Sequence, residues 1–333
     1  MKEVNELIRQ IKLGELKSVY VFDGEEPFYT DLLCEAFEQY ALQPHEKDFN
    51  FTTFYGKDTD WPAVVNECRS YPAFSQRRLM ILKEAAQLKD FGELENYIRH
   101  PLESTVLVIA YKYKKIDGRF TILKAIKSHA VYLTFDKIKE YHLNDWILNY
   151  CTGKNIRISP SNSELLGTYL GTDLQKIVNE LEKVLINVGE QREITTELIE
   201  KYIGISKEYN VFQYYGAILL RQNEKSYRIA NYFISNPKEG PLVLVTSLLY
   251  SQFSKLYQYH YAKQMSGKDI ALTLKIAPYF VKDYQAYAQH YNLSQTMSAI
   301  EIIHEYNLKA VGVNTSSNNI DILKEITAKL LAL

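Results

Sequence analysis

Over its first 140 residues the chain alternates short β-branched or aromatic runs with amphipathic stretches. The runs are Val19–Phe22, Phe49–Tyr55, Leu79–Leu82, Thr105–Ala110 and Val131–Phe135, and each predicts a strand. Segments near 27–41, 60–70, 90–100 and 119–128 keep a helical period between them. Strands alternating with helices imply an α/β unit built on a mostly parallel, doubly wound sheet, with ligands or partners at the carboxyl ends of its strands. After about residue 138 the strand signal stops and the chain reads all-α. Leu174, Ile177, Val178, Leu181, Val184, Leu185 and Val188 make one apolar stripe on a helix that Thr172 or Asp173 can cap. A break at 204–209 (GISKEY) separates a small helical unit from a larger one. In the larger unit Leu242, Val245, Leu248, Leu249, Phe253 and Leu256 keep helical spacing, as do the closing Ile320, Leu323, Ile326 and Leu330.

At 333 residues the chain is long enough for two or three domains at about 100 to 200 residues each. A net charge of -1 provides no global attraction to nucleic acid or an anionic membrane, so any such contact must be local. Cys34, Cys68 and Cys151 are odd in number and far apart, which suits a reduced cytoplasmic compartment rather than a disulfide framework or a zinc cluster. No stretch approaches the roughly 18 apolar residues of a membrane span, and the charged start MKEVNELIRQIK lacks a signal-peptide core. A cytoplasmic protein without a membrane association is expected.

The turn after the first run is where a nucleotide-binding protein places its phosphate loop. Such a loop needs glycines whose N–H groups wrap the phosphates, a lysine for the outer phosphates, and a hydroxyl for magnesium. Here it reads Gly24-Glu25-Glu26-Pro27-Phe28-Tyr29-Thr30, with one glycine, no basic residue, and a proline that has no N–H. Two carboxylates would also repel a polyphosphate. The strand Leu79–Leu82 is followed by Lys83-Glu84, a lysine where an ATPase of this kind holds its metal with an aspartate. ATP binding is not expected, whether the turn has lost its function or was never a nucleotide fold.

Four segments resemble the delta subunit of the bacterial DNA polymerase III clamp loader. They are Val19-Tyr-Val-Phe-Asp-Gly-Glu-Glu-Pro27, then Pro72-Ala-Phe-Ser-Gln-Arg-Arg-Leu-Met-Ile-Leu82, then Gly171-Thr-Asp-Leu174 with Asn179-Glu-Leu-Glu-Lys183, and last Tyr306-Asn-Leu-Lys-Ala-Val-Gly312. In the last, Asn307 and a displaced glycine depart from the family pattern. The resemblance implies three domains of the AAA+ type. Residues 1–138 would be a degenerate nucleotide-fold domain that binds the sliding clamp and has no functional phosphate loop. Residues 139–207 would be a small helical lid, and 208–333 a helical collar that joins the other loader subunits. No intrinsic ATPase or polymerase activity and no cofactor are implied.

In such a family the delta protein opens the ring-shaped clamp for loading on primed DNA, by inserting apolar side chains into a clamp pocket while neighbouring subunits bind ATP. Carried onto this chain, the wedge is Phe74 with Ala73 and Pro72 beside it. Ala73 is small where other members have a large apolar residue, which leaves Pro72 or Tyr71 as candidates for a second anchor. A phenylalanine packed beneath the third strand is the ordinary alternative. The stretch Tyr111-Lys-Tyr-Lys-Lys-Ile-Asp-Gly-Arg119 mixes basic and aromatic residues as nucleic-acid surfaces do, making Lys112, Lys114, Lys115 and Arg119 candidate DNA contacts, with Lys124 and Lys127 beyond them. A solvated loop explains it equally. The tyrosines between Tyr250 and Tyr291 stack bases or, more simply, pack within the collar. His142 with Asp145 and His290 with Glu301 form no catalytic or metal motif, so no catalytic or metal-binding residue is assigned. The competing functions are an active AAA+ ATPase with an unusual site and a DNA-binding adaptor working through residues 111–127.

Overall fold

Val19, Tyr20, Val21 and Phe22 are all buried, yet they alternate between two different cores, as a strand covered on both faces requires. The computed structural model describes residues 2–188, 192–205, 209–238, 240–276, 278–313 and 319–333, and it divides into two units, Met1–Lys139 and Glu140–Leu333. The first unit runs α1 (Lys2–Lys12), β1 (Val19–Gly24), α2 (Pro27–Tyr40), α3 (Lys47–Asn50), β2 (Phe51–Tyr55), α4 (Trp61–Cys68), β3 (Arg78–Lys83), α5 (Glu95–Arg99), β4 (Thr105–Lys112), α6 (Thr121–His129) and β5 (Val131–Phe135). Its five strands form one parallel sheet in the order β2-β3-β4-β1-β5.

On one face Val4, Leu7 and Ile11 of α1 and Leu33 and Phe37 of α2 pack against Tyr20, Phe22, Ile81 and Val108. On the other, Val64 of α4, Ile98 of α5 and Ile122 and Ile126 of α6 pack against Val19, Val21, Met80 and Leu107. Each such fully buried side chain contributes about 1.5–3 kcal/mol. The expected doubly wound α/β architecture is therefore present. Helix α1 adds to the expected elements; the charges of MKEVNELIRQIK surround its apolar residues Val4, Leu7 and Ile11, spaced three and four apart. The predicted strand at 49–55 begins only at Phe51, since Phe49 and Asn50 close the short helix α3. The helical segment at 90–100 is divided into a 3-10 turn, Phe91–Leu94, and α5.

The second unit contains α7 (Glu140–Gly153), β6 (Arg157–Ile158), α8 (Pro160–Leu170), α9 (Leu174–Leu185), β7 (Glu193–Ile194), α10 (Thr196–Ile203), α11 (Val211–Leu219), α12 (Asn223–Ser235), α13 (Leu242–Ala262), α14 (Gly267–Leu274), α15 (Val281–His290), α16 (Leu293–Ala310) and α17 (Asn319–Ala332). It is helical as expected, apart from the two-residue parallel pair β6–β7, which is too short to leave a period in the sequence. The Asp173 carboxylate accepts from Lys176 N–H at 3.0 Å and caps α9, whose stripe from Leu174 to Val184 is buried. At the break, Gly204 ends α10 in a left-handed conformation, while Ser206, Lys207 and Glu208 lie outside the described residues. The Ile320 side chain lies outside them too.

Helices α11–α17 share one core that includes Val211, Ile218, Phe253, Leu256, Ile303 and Ile326. Several of its deep tyrosines are hydrogen-bonded. Tyr291 O–H reaches the Ile218 and Leu330 carbonyl oxygens, both at 3.1 Å, and Tyr214 O–H donates at 2.7 Å to Thr327 Oγ1, whose own proton goes to the Leu323 carbonyl. Of the tyrosines between Tyr250 and Tyr291, Tyr259, Tyr284 and Tyr291 are interior, whereas Tyr250 and Tyr261 are exposed.

Candidate interaction site

Strands β1 and β4 are neighbours whose chains leave for opposite faces, β1 to α2 and β4 to α6, and a doubly wound sheet opens its ligand crevice at such a point. Here the chain's own groups occupy it. Gly24 has φ +121°, and a Cβ there would lie 2.1 Å from the Phe135 carbonyl oxygen. Gly24 N–H donates to the Lys114 carbonyl at 3.1 Å, and Glu26 N–H to the Phe135 carbonyl at 3.0 Å. The buried Glu26 carboxylate accepts from Phe28 N–H at 3.1 Å, so the N-terminus of α2 already holds an anion. Buried Asp23 accepts from Ile116 N–H and Tyr132 O–H at 2.8 Å and from Thr134 O–H at 2.7 Å, tying the 111–119 loop to β5. At the end of β3, Lys83 pairs with Glu38 at 2.8 Å. Among the described residues, no cluster of three His, Cys, Asp or Glu could hold a metal, and no helix is long and apolar enough to cross a membrane.

The loop between α4 and β3 has the opposite character. Phe74 is 99% exposed, so it does not pack beneath β3. Its backbone is left-handed, with φ +55°, a conformation that costs a residue with a Cβ about 1–2 kcal/mol. Tyr71, 80% exposed, precedes Pro72, while Pro72 and Ala73 are half-buried. Both ends of the loop are fixed. Arg78 donates to the Glu67 carbonyl at 3.1 Å and pairs with the Glu67 carboxylate, and Tyr97 O–H reaches the Cys68 carbonyl at 3.3 Å.

The middle of the loop is fixed as well. Asn50, only 1% exposed, accepts from Ala73 N–H through Oδ1 at 2.8 Å and donates through Nδ2 to the Ala73 carbonyl at 2.8 Å and the Glu46 carbonyl at 3.0 Å. The Glu46 carboxyl is held below the usual carboxylate range by Gln43 N–H and then by the Ser75 hydroxyl. Next to Asn50 in the chain, the Phe49 side chain is 68% exposed.

The basic stretch is largely neutralised. Lys112 pairs with Asp31 at 2.8 Å, Lys115 with Asp136 at 2.6 Å and Arg119 with Asp117 at 2.5 Å. The hydrogen bond that the Lys115 ammonium donates to Asp136 raises its pKa, and Arg119 lowers that of Asp117 to about 2. Lys114 is exposed, its Nζ 5.6 Å from the centre of the Tyr111 ring. Lys112 ends β4 and Lys114, Lys115 and Arg119 follow it in the next loop, but three of the four meet a carboxylate first.

The family model described as DNA polymerase III, delta subunit, matches residues 20–136, and the model for the C-terminal domain of the DNA polymerase III delta subunit matches residues 208–320. The chain belongs to the DNA polymerase III delta subunit family. DNA polymerase III subunit delta of Bacillus subtilis strain 168 is 27% identical over 286 residues, 82% of each chain. The protein of that name from Buchnera aphidicola subsp. Schizaphis graminum is 22% identical over 250 residues, 73% of this chain and 72% of its own. In fold, the chain is similar to the solved DNA clamp loader delta protein of Bacillus subtilis, with a TM-score of 0.54 and 24% identity over 99% of this chain and 100% of that one.

Within this delta-family chain Pro72, Ala73 and Phe74, the residues singled out from the sequence, all lie in one exposed, end-pinned loop. Asn50 and Phe49 escape sequence reasoning. A lone Asn inside an aromatic run looks like a strand residue, and no local pattern links it to a loop 23 positions away.

Proposed function

We propose that this chain is the clamp-opening subunit of a DNA polymerase III clamp loader, with Phe74 as the wedge that enters a pocket on the sliding clamp. One observation carries the reading: a large apolar ring stands almost wholly in water, on a strained backbone, in a loop held at both ends and in the middle. An exposed, ordered aromatic is what an interface hot spot offers a partner pocket. Ring opening follows if the chain binds the open clamp more tightly than the closed one, because a ligand shifts an equilibrium only by its differential affinity.

In this reading residues 1–138 form a degenerate AAA+ domain, 139–207 a lid, and 208–333 a collar that joins the other loader subunits, consistent with the single core shared by α11–α17. ATP is bound by those neighbours. The β1–α2 turn supports this division of labour, since its N–H groups and helix N-terminus are committed to the chain itself. DNA contact by the 111–119 loop would rest mainly on Lys114, the cation of the four that meets no carboxylate among the described residues.

Binding of the purified chain to the sliding clamp of its own organism, without nucleotide, tests the reading. Phe74→Ala should weaken that complex by about thirtyfold, the equivalent of a hot spot of about 2 kcal/mol. Equal binding by wild type and variant would remove Phe74 from the interface.

A further inference from the structure

The wedge loop adopts a conformation that it would not choose unaided. A phenylalanine at φ +55° with its ring in water gains nothing local from either feature, so contacts elsewhere must hold it. Asn50 supplies them. A primary amide has one acceptor oxygen and two N–H donors, and here it closes a two-bond ring on Ala73, the residue before Phe74, while its donor group also reaches the Glu46 carbonyl. On the other side of Phe74 the chain closes on itself: the Ser75 hydroxyl donates to the Arg77 carbonyl at 3.1 Å, and Ser75 Oγ accepts from Arg77 N–H at 3.3 Å. Asn50 therefore grips the loop just before position 74, the Ser75–Arg77 turn closes it just after, and the ring itself is left untouched.

We propose that Asn50 is a positioning residue for clamp binding: it holds Ala73 so that Phe74 is presented before the partner arrives. This rests on the clamp-wedge reading. A preorganising group acts on the free protein. Without it the loop spends only a fraction of its time in the competent shape, and the apparent affinity falls by that fraction. Once the complex has formed, the clamp holds the ring and Asn50 is no longer needed. The loss should therefore appear in association, whereas loss of a contact group appears in dissociation.

The test is association and dissociation kinetics of the full chain on the sliding clamp for wild type, Asn50→Ala and Phe74→Ala. Asn50→Ala should associate at least about fivefold more slowly while dissociating within about twofold of wild type, and Phe74→Ala should dissociate faster. Asn50→Asp keeps the size and the acceptor for Ala73 N–H but removes both donor bonds. It should also slow association, and it replaces the alanine variant if that one does not fold.

Faster dissociation of the Asn50 variants with unchanged association would overturn the positioning role. Wild-type kinetics in both Asn50 variants, with Phe74→Ala still weakened, would overturn it and leave the wedge reading standing. Absence of wild-type binding, or no effect of Phe74→Ala, would overturn the wedge reading and this proposal together.

Discussion

At position 74 an aromatic side chain has been given up to water, and its part in folding can be separated there from the proposed part in binding. Because the ring is 99% exposed, Phe74→Ala should change folding stability by less than about 0.5 kcal/mol, as a surface truncation does. Phe74→Gly, which tolerates φ +55°, should be more stable than Phe74→Ala by about 1 kcal/mol in urea unfolding. Equal stability of the two variants would mean that the backbone at 74 relaxes out of the left-handed region. Both variants lose the ring and should bind the clamp equally poorly, so stability and binding move independently. Sequence alone makes Phe74 a candidate, through its resemblance to a family. It cannot show the exposure, because phenylalanine beside a strand is ordinarily buried.

At the scale of elements, the β1–α2 turn shows how a nucleotide-type crevice can be closed without changing the sheet. Gly24 lets the chain pass against β5 where a Cβ would overlap the Phe135 carbonyl, and Glu26 gives α2 its own anion. Gly24→Ala should therefore destabilise the first unit by about 2–4 kcal/mol, combining a forbidden φ with a backbone collision, as read from the urea midpoint. Glu26→Ala should cost only about 1 kcal/mol, the loss of a cap. A similar cost for both would deny the close approach at Gly24. The missing lysine and surplus carboxylates of this turn are legible in the sequence. The three acceptor bonds of Asp23 are not, because its partners lie 93, 109 and 111 positions away.

In the second unit, burial acts on the carboxyl group of Glu164 of α8. Burial pushes its carboxyl up to about 7, against an opposing pull from Lys255 of α13 and a further push from Asp283 of α15. Tyr215, Tyr284 and Tyr287 lie close enough to feel its charge. The folded chain keeps this proton between about pH 4.5 and 7, where the unfolded chain releases it. Stability is thus greatest below that window and declines as pH rises through it, by up to about 3 kcal/mol. Glu164→Gln cannot ionise, so its urea midpoint should exceed that of wild type increasingly from about pH 5 to about pH 8. A constant gap would place the carboxyl in water.

Periodicity and turn composition are local properties, and they suffice for the doubly wound first unit, the helical second unit, the Asp173 cap and the unsuitability of the phosphate turn. Helix α3 and the pair β6–β7 escape because they span four and two residues, less than a readable repeat. The folded chain alone reveals how the loop between α4 and β3 is held and how the basic stretch is neutralised. Both depend on side chains meeting across long separations, Asn50 with Ala73 and Lys112 with Asp31. Hydrogen bonds of this kind act over about 3 Å in space. The distance along the chain between the groups they join leaves no trace in the local pattern of either.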